Sequence, residues 1–442
     1  MIHLTPRVAY LNAPRCWSPQ WISTSFRSSH VSVRFASSLM EDQDAKGIQN
    51  TYDVAVVGSG PAGIAVLGNI LDCNPATNVF WIDPDFKGGR LKKYRQVSSN
   101  TKVSLFLKYA YILEPFRHII ESTPKPNAIS ALESLDPNAG CDLSYAHDLC
   151  LMITNGLRRL PNVDGQVGKV EEVKLNSQTQ HWSVKVSAAD PSSRIININS
   201  RKVILCTGSS PTDPQPPSWL PSSCSVIDLD SALDRTKLRE TLPTHKDSTI
   251  GIVGASHSAI VVIMGLFKMA TTTHPHLRVK WFTRRPLTYA KDMGDWILRD
   301  NTGLKGASAD FAREYLEDEP LTRPPTSRFL ERVDCSKNEP EAYRQHLPSC
   351  SHLVYAIGYQ QDPLPAVQVD NQRVDKLSSD GTTGLFRNEQ GDSIPGLLGA
   401  GIAFPEAVTD PLGNKESAVG MWKFMKYLQR VMPDYMGQNC CE

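Results

Sequence analysis

Neither sign of charge dominates this chain: 47 Lys and Arg stand against 46 Asp and Glu in 442 residues, a formal net charge of +1. With no one-signed field to draw it toward nucleic acid or an anionic membrane surface, its expected partner is a small molecule. The ten cysteines include no Cys-x-x-Cys and no metal-ligand spacing, and only Cys440 and Cys441 lie close together. That excludes a zinc module and a disulfide framework, and leaves Cys73, Cys150 and Cys206 as buried free thiols in a reduced compartment. A transmembrane segment is lacking too. The longest apolar run, residues 250–267, is broken by Gly254, Ser256, His257 and Ser258, which suits a strand, a turn and a helix better than lipid. No acid precedes Glu41, while Arg7, Arg15, Arg27 and Arg34 sit among many serines. This is the makeup of a mitochondrial transit peptide, so residues 1–48 are predicted to be a leader outside the fold; a disordered leader, or translation from Met40 with a cytoplasmic protein, is the alternative.

What the chain does have is Tyr52-Asp53-Val54-Ala55-Val56-Val57-Gly58-Ser59-Gly60-Pro61-Ala62-Gly63-Ile64-Ala65. A short apolar run breaks into Gly-x-Gly-x-x-Gly and continues apolar, which reads as a buried parallel strand turning into a helix. Gly58 permits the tight bend, Gly60 lets the backbone approach a pyrophosphate, and Gly63 lets helix and strand pack closely. The phosphates then face the helix amides and their positive dipole, with Pro61 and Ala62 in the same contact. Asn78-Val79-Phe80-Trp81-Ile82 supplies the next strand, ending in Asp83, a carboxylate suited to an adenosine ribose. Strand, turn, helix and acid occur in order, so a dinucleotide site is predicted here.

Gly88-Gly89 and Arg90 follow. Two adjacent glycines let the backbone pass under a bound cofactor, where an isoalloxazine ring would lie if the dinucleotide is FAD. Tyr94, Val97, Asn100 and Thr101 then resemble a segment of the flavin-containing monooxygenases. That resemblance implies that Asn100 lies beside the flavin and the oxygen site as the candidate catalytic residue. Residues 105–161, broken by four prolines before a helical period resumes at Tyr145, are expected to cover the flavin, with Phe106, Tyr109 and Tyr111 as candidate pocket residues. An antiparallel hairpin is predicted from the alternation in residues 170–173 and 182–186 around the polar loop 176–180. The strand 202–206, ending in Thr207-Gly208, resembles the one that in two-dinucleotide flavoproteins closes the FAD domain and hands the chain to a second nucleotide domain.

That second site is Ile250-Gly251-Ile252-Val253-Gly254-Ala255-Ser256-His257-Ser258. It repeats the strand, the small-residue turn and the apolar helix, with Gly254, Ser256 and Ser258 as candidate contacts. Ser256 stands where the middle glycine belongs and is expected to crowd a pyrophosphate unless its hydroxyl bonds the phosphate. The next strand, 277–283, ends in Arg284-Arg285 where an NAD site would want an acid. Guanidinium forks suit a ribose 2′-phosphate, so NADPH is favoured over NADH. Residues 289–319 form a polar, aromatic, glycine-containing insert to which no motif attaches.

Ala356-Ile357-Gly358-Tyr359 resembles the strand by which these flavoproteins resume their first domain, and 394–402 reads as a close-packed last strand ending at Gly401. A final amphipathic helix is predicted over 416–432; the resemblance implies that its amino end points at the flavin, with Gly413-Asn414 as the contact loop. The predicted class is α/β, with two Rossmann-like domains, the NADPH domain (213–350) inserted in the FAD domain (49–212 and 351–442). The order of motifs resembles the flavin-containing monooxygenases and the amine N-hydroxylating monooxygenases. It implies FAD, NADPH, molecular oxygen and a small nucleophilic substrate hydroxylated at nitrogen or sulfur through a flavin hydroperoxide. A disulfide reductase is disfavoured because no Cys-x4-Cys pair follows Gly89. The alternatives are a dehydrogenase that passes electrons to a quinone or protein carrier, and a flavin-bound redox-sensing protein.

Overall fold

The computed structural model describes residues 51–188 and 195–437; the leader expected over 1–48 lies outside them, as do Cys440 and Cys441. The strand Thr51–Val57 sits at the middle of the larger sheet. It pairs in parallel with Val79–Asp83 on one side and with the end of Ile196–Leu205 on the other. Beyond these the sheet continues in parallel through Val163–Asn176 and Ser393–Gly399. Val79–Asp83 is buried along its whole length, which is why it reads as an unbroken apolar run and not as an alternation. The connections wind outward in both directions from the central strand, so a crevice opens beyond Val57, Asp83 and Leu205.

The hairpin lies as expected. His181–Ala188 pairs antiparallel with both Val163–Asn176 and Ile196–Leu205, and the Asn176 side chain closes the polar loop by accepting from the amides of Gln178 and Thr179. The helix Pro61–Cys73 leaves the first turn with proline in its opening turn, where the missing N–H costs nothing, and packs against the last helix, Met421–Met436.

A second sheet is parallel throughout. Its order is Leu330–Asp334, Leu277–Thr283, Ser248–Val253, His352–Tyr355 and Ser225–Val226. Here the structure corrects the expected boundary at residue 350. His352–Tyr355 pairs with Ile250–Val253, so this strand completes the second sheet instead of resuming the first. Its apolar residues would suit the middle of either parallel sheet, and nothing local names the partner. The true crossing is a two-stranded antiparallel ribbon in which Ser209–Pro211, leaving the first domain, lies against Tyr359–Gln361, returning to it.

The last helix is shifted as well. Residues 416–418, expected to open the helix, belong to the strand Lys415–Ala418 paired with Glu406–Thr409, and the helix starts only at Met421. Among the described residues no helix is long and apolar enough to cross a membrane, and no cluster of side chains suits a metal ion.

Candidate active site

The two turns are built alike. Gly58 has φ +105°, and a Cβ added there would lie 2.3 Å from the carbonyl oxygen of Cys206; Gly254 has φ +124°, and its added Cβ would lie 2.2 Å from the carbonyl oxygen of Ala356. In each case a neighbouring parallel strand crosses directly beneath the turn, and only glycine fits. The helices that follow start at Gly60 and Ser256, neither of which caps its helix with a side chain. The amides of both first turns therefore remain available to an anionic ligand. Ser256 does not crowd this space as expected. Its backbone is extended, at φ −78° and ψ 173°, and its hydroxyl donates to the carbonyl of Ala356 at 3.2 Å, on the floor of the turn.

One cavity of about 830 Å³ is lined from both domains. Gly58, Gly60, Pro61 and Ala62 of the first turn face it, as do His257, Ser258 and Val261 from the second. Three of the six buried polar side-chain atoms without a partner among the described residues belong to residues that line it: the hydroxyls of Thr207 and Ser209, and Nδ1 of His257. Buried polar atoms are rarely left unpaired, so these three mark where a polar ligand completes the bonding. Together with the open turns, they fit two dinucleotides.

Asp83 is buried at the strand end, where its Oδ2 accepts the amide of Ser59 at 2.6 Å and its Oδ1 the amides of Asp85 and Phe86 at 2.9 and 2.7 Å. This carboxylate thus braces the turn. One lone pair of Oδ2 stays open toward the cavity for a ribose hydroxyl. An added Cβ at Gly89 would lie 2.9 Å from the Cα of Gly60, so the glycine pair runs beside the first turn, and Gly89 lines the cavity. Arg90 lines the cavity and also clamps the crossing ribbon. Its Nε donates to the carbonyl of Ser209 at 2.9 Å, one arm pairs with Asp230 at 2.5 Å, and the other bonds the hydroxyl of Ser210. These bonds use three of its five N–H groups and leave one on each arm for a ligand.

Asn100, exposed at the strand Ser98–Lys102, faces the cavity, as do Thr207, Gly208 and Gly401. Of the three aromatic candidates only Phe106 lines it. Tyr109 is core, its hydroxyl on the carbonyl of Pro61 at 2.8 Å, and Tyr111 reaches Glu133 on the surface. Asn414 lies at an exposed hairpin tip, where its amide and side chain both donate to Asp410, at 2.8 and 2.7 Å. Val419, Gly420 and Met421 face the cavity in its place. Gly358 belongs to the crossing, where its carbonyl accepts the amide of Thr212 at 3.0 Å. Arg284 and Arg285 are exposed at the end of Leu277–Thr283, with Arg284 lying 3.6 Å from Glu339.

Sequence reading missed Asp230. From the short helix Leu229–Leu233 it accepts from Arg90, from Lys93 at 2.7 Å and from the hydroxyl of Tyr94 at 2.6 Å. Burial alone would raise its pKa, but the bonds from Lys93 and Tyr94 and the charge of Arg90 outweigh burial and hold it below the usual carboxylate range. No spacing announces such a hub, because its partners lie some 140 positions away. His257 is shifted downward, first by burial and further by the Lys305 charge, against a main-chain bond to Ser98.

Similarity to known proteins agrees with this geometry. Residues 158–300 match the family described as L-lysine 6-monooxygenase/L-ornithine 5-monooxygenase. Monooxygenase AgnR1 of Paecilomyces divaricatus is 46% identical over 384 residues, 86% of this chain and 97% of that protein. A cyclohexanone monooxygenase mutant from Rhodococcus sp. Phi1, solved bound to NADP+, shares the fold with a TM-score of 0.51 at 12% identity, over 88% of this chain and 87% of that one.

Proposed function

The chain belongs to the monooxygenase family that includes AgnR1 and is an FAD-dependent, NADPH-consuming monooxygenase; from that premise we propose that its substrate is a small, uncharged molecule that receives one oxygen atom at a nucleophilic nitrogen or sulfur. When bound, FAD supplies the chemistry that couples two-electron reduction to the activation of oxygen. The chain's own residues bind, orient and exclude water. The amides that open the helix Pro61–Cys73 hold the FAD pyrophosphate, Asp83 takes the ribose, and the hydroxyls of Thr207 and Ser209 find their partners on the same cofactor. The turn at Gly254, with Ser258, holds the NADPH pyrophosphate, and Arg284 and Arg285 stand where a 2′-phosphate emerges.

The observation that carries this reading is the single cavity that the first turn shares with the start of the helix after the second, since hydride transfer needs nicotinamide and flavin in one water-poor space. Uncharged groups in the cavity wall include Ile402, Val419, Met421 and Phe424. The charges elsewhere in the wall are largely spent, Lys92 on Asp85 and both Arg90 and Lys93 on Asp230. This favours an uncharged substrate. Turnover under isotopically labelled dioxygen tests the reading. One labelled atom in the product supports it, whereas NADPH oxidation that labels no product and requires an added quinone or protein acceptor replaces it with a dehydrogenase. The arginine- and serine-rich first forty residues direct the protein to mitochondria in this reading; a fluorescent fusion that stays in the cytoplasm removes that part.

A further inference from the structure

The insert 289–319, which carries no recognisable motif, makes a polar contact between the two domains at the end of the cavity formed by Val419, Gly420 and Met421. Asn301 of the insert lines the cavity. Its amide and its side-chain nitrogen both donate to Glu416 at 3.1 Å, and the hydroxyl of Thr302 donates to the same carboxylate at 2.5 Å. In return the side-chain oxygen of Asn301 accepts the amide of Val419 at 3.3 Å and the ammonium of Lys423. Asp300 lies 2.7 Å from Lys423 and is braced from behind by Lys305. A few residues on, an added Cβ at Gly306 would lie 3.9 Å from the Cα of Asn100. Residues 300–306 thus straddle this end, with one foot on the Asn100 strand and the other on the loop that opens the last helix.

That helix needs what the insert brings. Met421–Met436 has no acid in its first turn and no side-chain cap at Gly420, yet it carries Lys423 there. A cation at the positive end of a helix dipole is the wrong sign. The missing carboxylate comes from the other domain, as Asp300. The helix start therefore holds its place, and its charge balance, only when the second domain is docked.

We propose that residues 300–306 form a strap that docks the NADPH domain on the flavin end of the cavity, with Asp300 and Asn301 as positioning residues for hydride transfer through their grip on Val419 and Lys423. The strap rests on the reading that NADPH reduces a flavin bound in this cavity. It acts on the geometry of transfer and leaves the binding of each cofactor alone, since none of its bonds involves the glycine turns.

The test is anaerobic rapid mixing of the FAD-loaded full chain with NADPH, in the wild type, Asp300→Asn, Lys423→Met, the double variant and Lys423→Arg. The limiting rate of flavin reduction is expected to fall on the order of tenfold in each neutralised single variant, with the double variant no slower than the slower single, because both break one contact. Lys423→Arg is expected to stay near the wild type. FAD content, the NADPH concentration giving half the limiting rate, and the rate of reduction by dithionite, which needs no docking, are expected to be unchanged. A wild-type limiting rate in Asp300→Asn, effects that add in the double variant, or loss of FAD in step with loss of rate each overturns the strap. A wild-type protein that NADPH does not reduce overturns the reading beneath it, and the strap with it.

Discussion

Trp81 and Trp281 do the same thing in the two halves of the molecule: each reaches back from the strand after its turn and donates its indole N–H to the carbonyl of the turn's first glycine, Gly58 at 2.9 Å and Gly254 at 2.8 Å. Both side chains are buried, at 0% and 1% exposure. The bond fixes the glycine peptide whose orientation aims the next amides at a pyrophosphate. Replacement by phenylalanine leaves a buried carbonyl unpaired, at a cost of about 1–3 kcal/mol. Trp81→Phe is expected to weaken FAD retention on the order of tenfold with NADPH affinity little changed, and Trp281→Phe to do the reverse. Fluorescence titration of each cofactor against each variant separates the two; equal losses of both cofactors in one variant contradict the assignment.

In the proposed reading Arg284 and Arg285 carry the choice of nicotinamide cofactor. Removing both with Ala is expected to raise the KM for NADPH on the order of tenfold or more while that for NADH moves little, because a bidentate charge-assisted contact to a phosphate is lost. Steady-state kinetics with the two cofactors check this, and an unchanged NADPH preference would place the 2′-phosphate elsewhere.

His257 gives the fold an acid-side weakness. Burial and Lys305 hold its imidazole below the ordinary value of about 6.5. The unfolded chain therefore takes up a proton more readily than the folded one, and stability drains away as pH falls below about 6.5, toward the lower folded value. His257→Gln has no such proton to take up. Thermal unfolding across that range is expected to show a shallower fall for the variant, and parallel curves would count against a buried neutral imidazole.

Asp230 ties three first-domain side chains to the second domain. Asp230→Asn is expected to lower the midpoint of thermal unfolding by a few degrees at neutral pH, from a loss of about 1–3 kcal/mol. Its depressed pKa sets the sign: the contribution is whole above the unfolded value of about 3.9 and is lost as pH falls through the folded value. The gap between wild type and variant is therefore expected to close at acid pH, and a gap independent of pH would contradict a charged hub.

The parts of the site legible in the sequence are those whose chemistry is contiguous. The Gly58 turn, its helix and Asp83 follow one another within about thirty residues, and the Gly254 turn repeats the pattern, so spacing alone reports them. The clamp made by Arg90 is not legible, because the residue follows Gly89 in sequence whereas its partners are Ser209, Ser210 and Asp230. Asn414 and Gly420 both follow plausible turn residues; only the pairing of Lys415–Ala418 with Glu406–Thr409 decides that the helix begins after the second. The strand His352–Tyr355 is apolar enough for either sheet, and its register with Ile250–Val253 is a tertiary choice. The insert stayed silent for the same reason, since Asn301 meets Glu416 across 115 positions of chain.

The most direct measurement is to load the purified chain with FAD, exclude oxygen, add NADPH and follow the visible absorbance of the flavin. A glycine turn and the start of the second turn's helix on one cavity require the yellow colour to bleach promptly and in proportion to the NADPH consumed, and to return when oxygen is admitted. A flavin that is bound and keeps its colour in excess NADPH would contradict the claim that the two cofactors meet there.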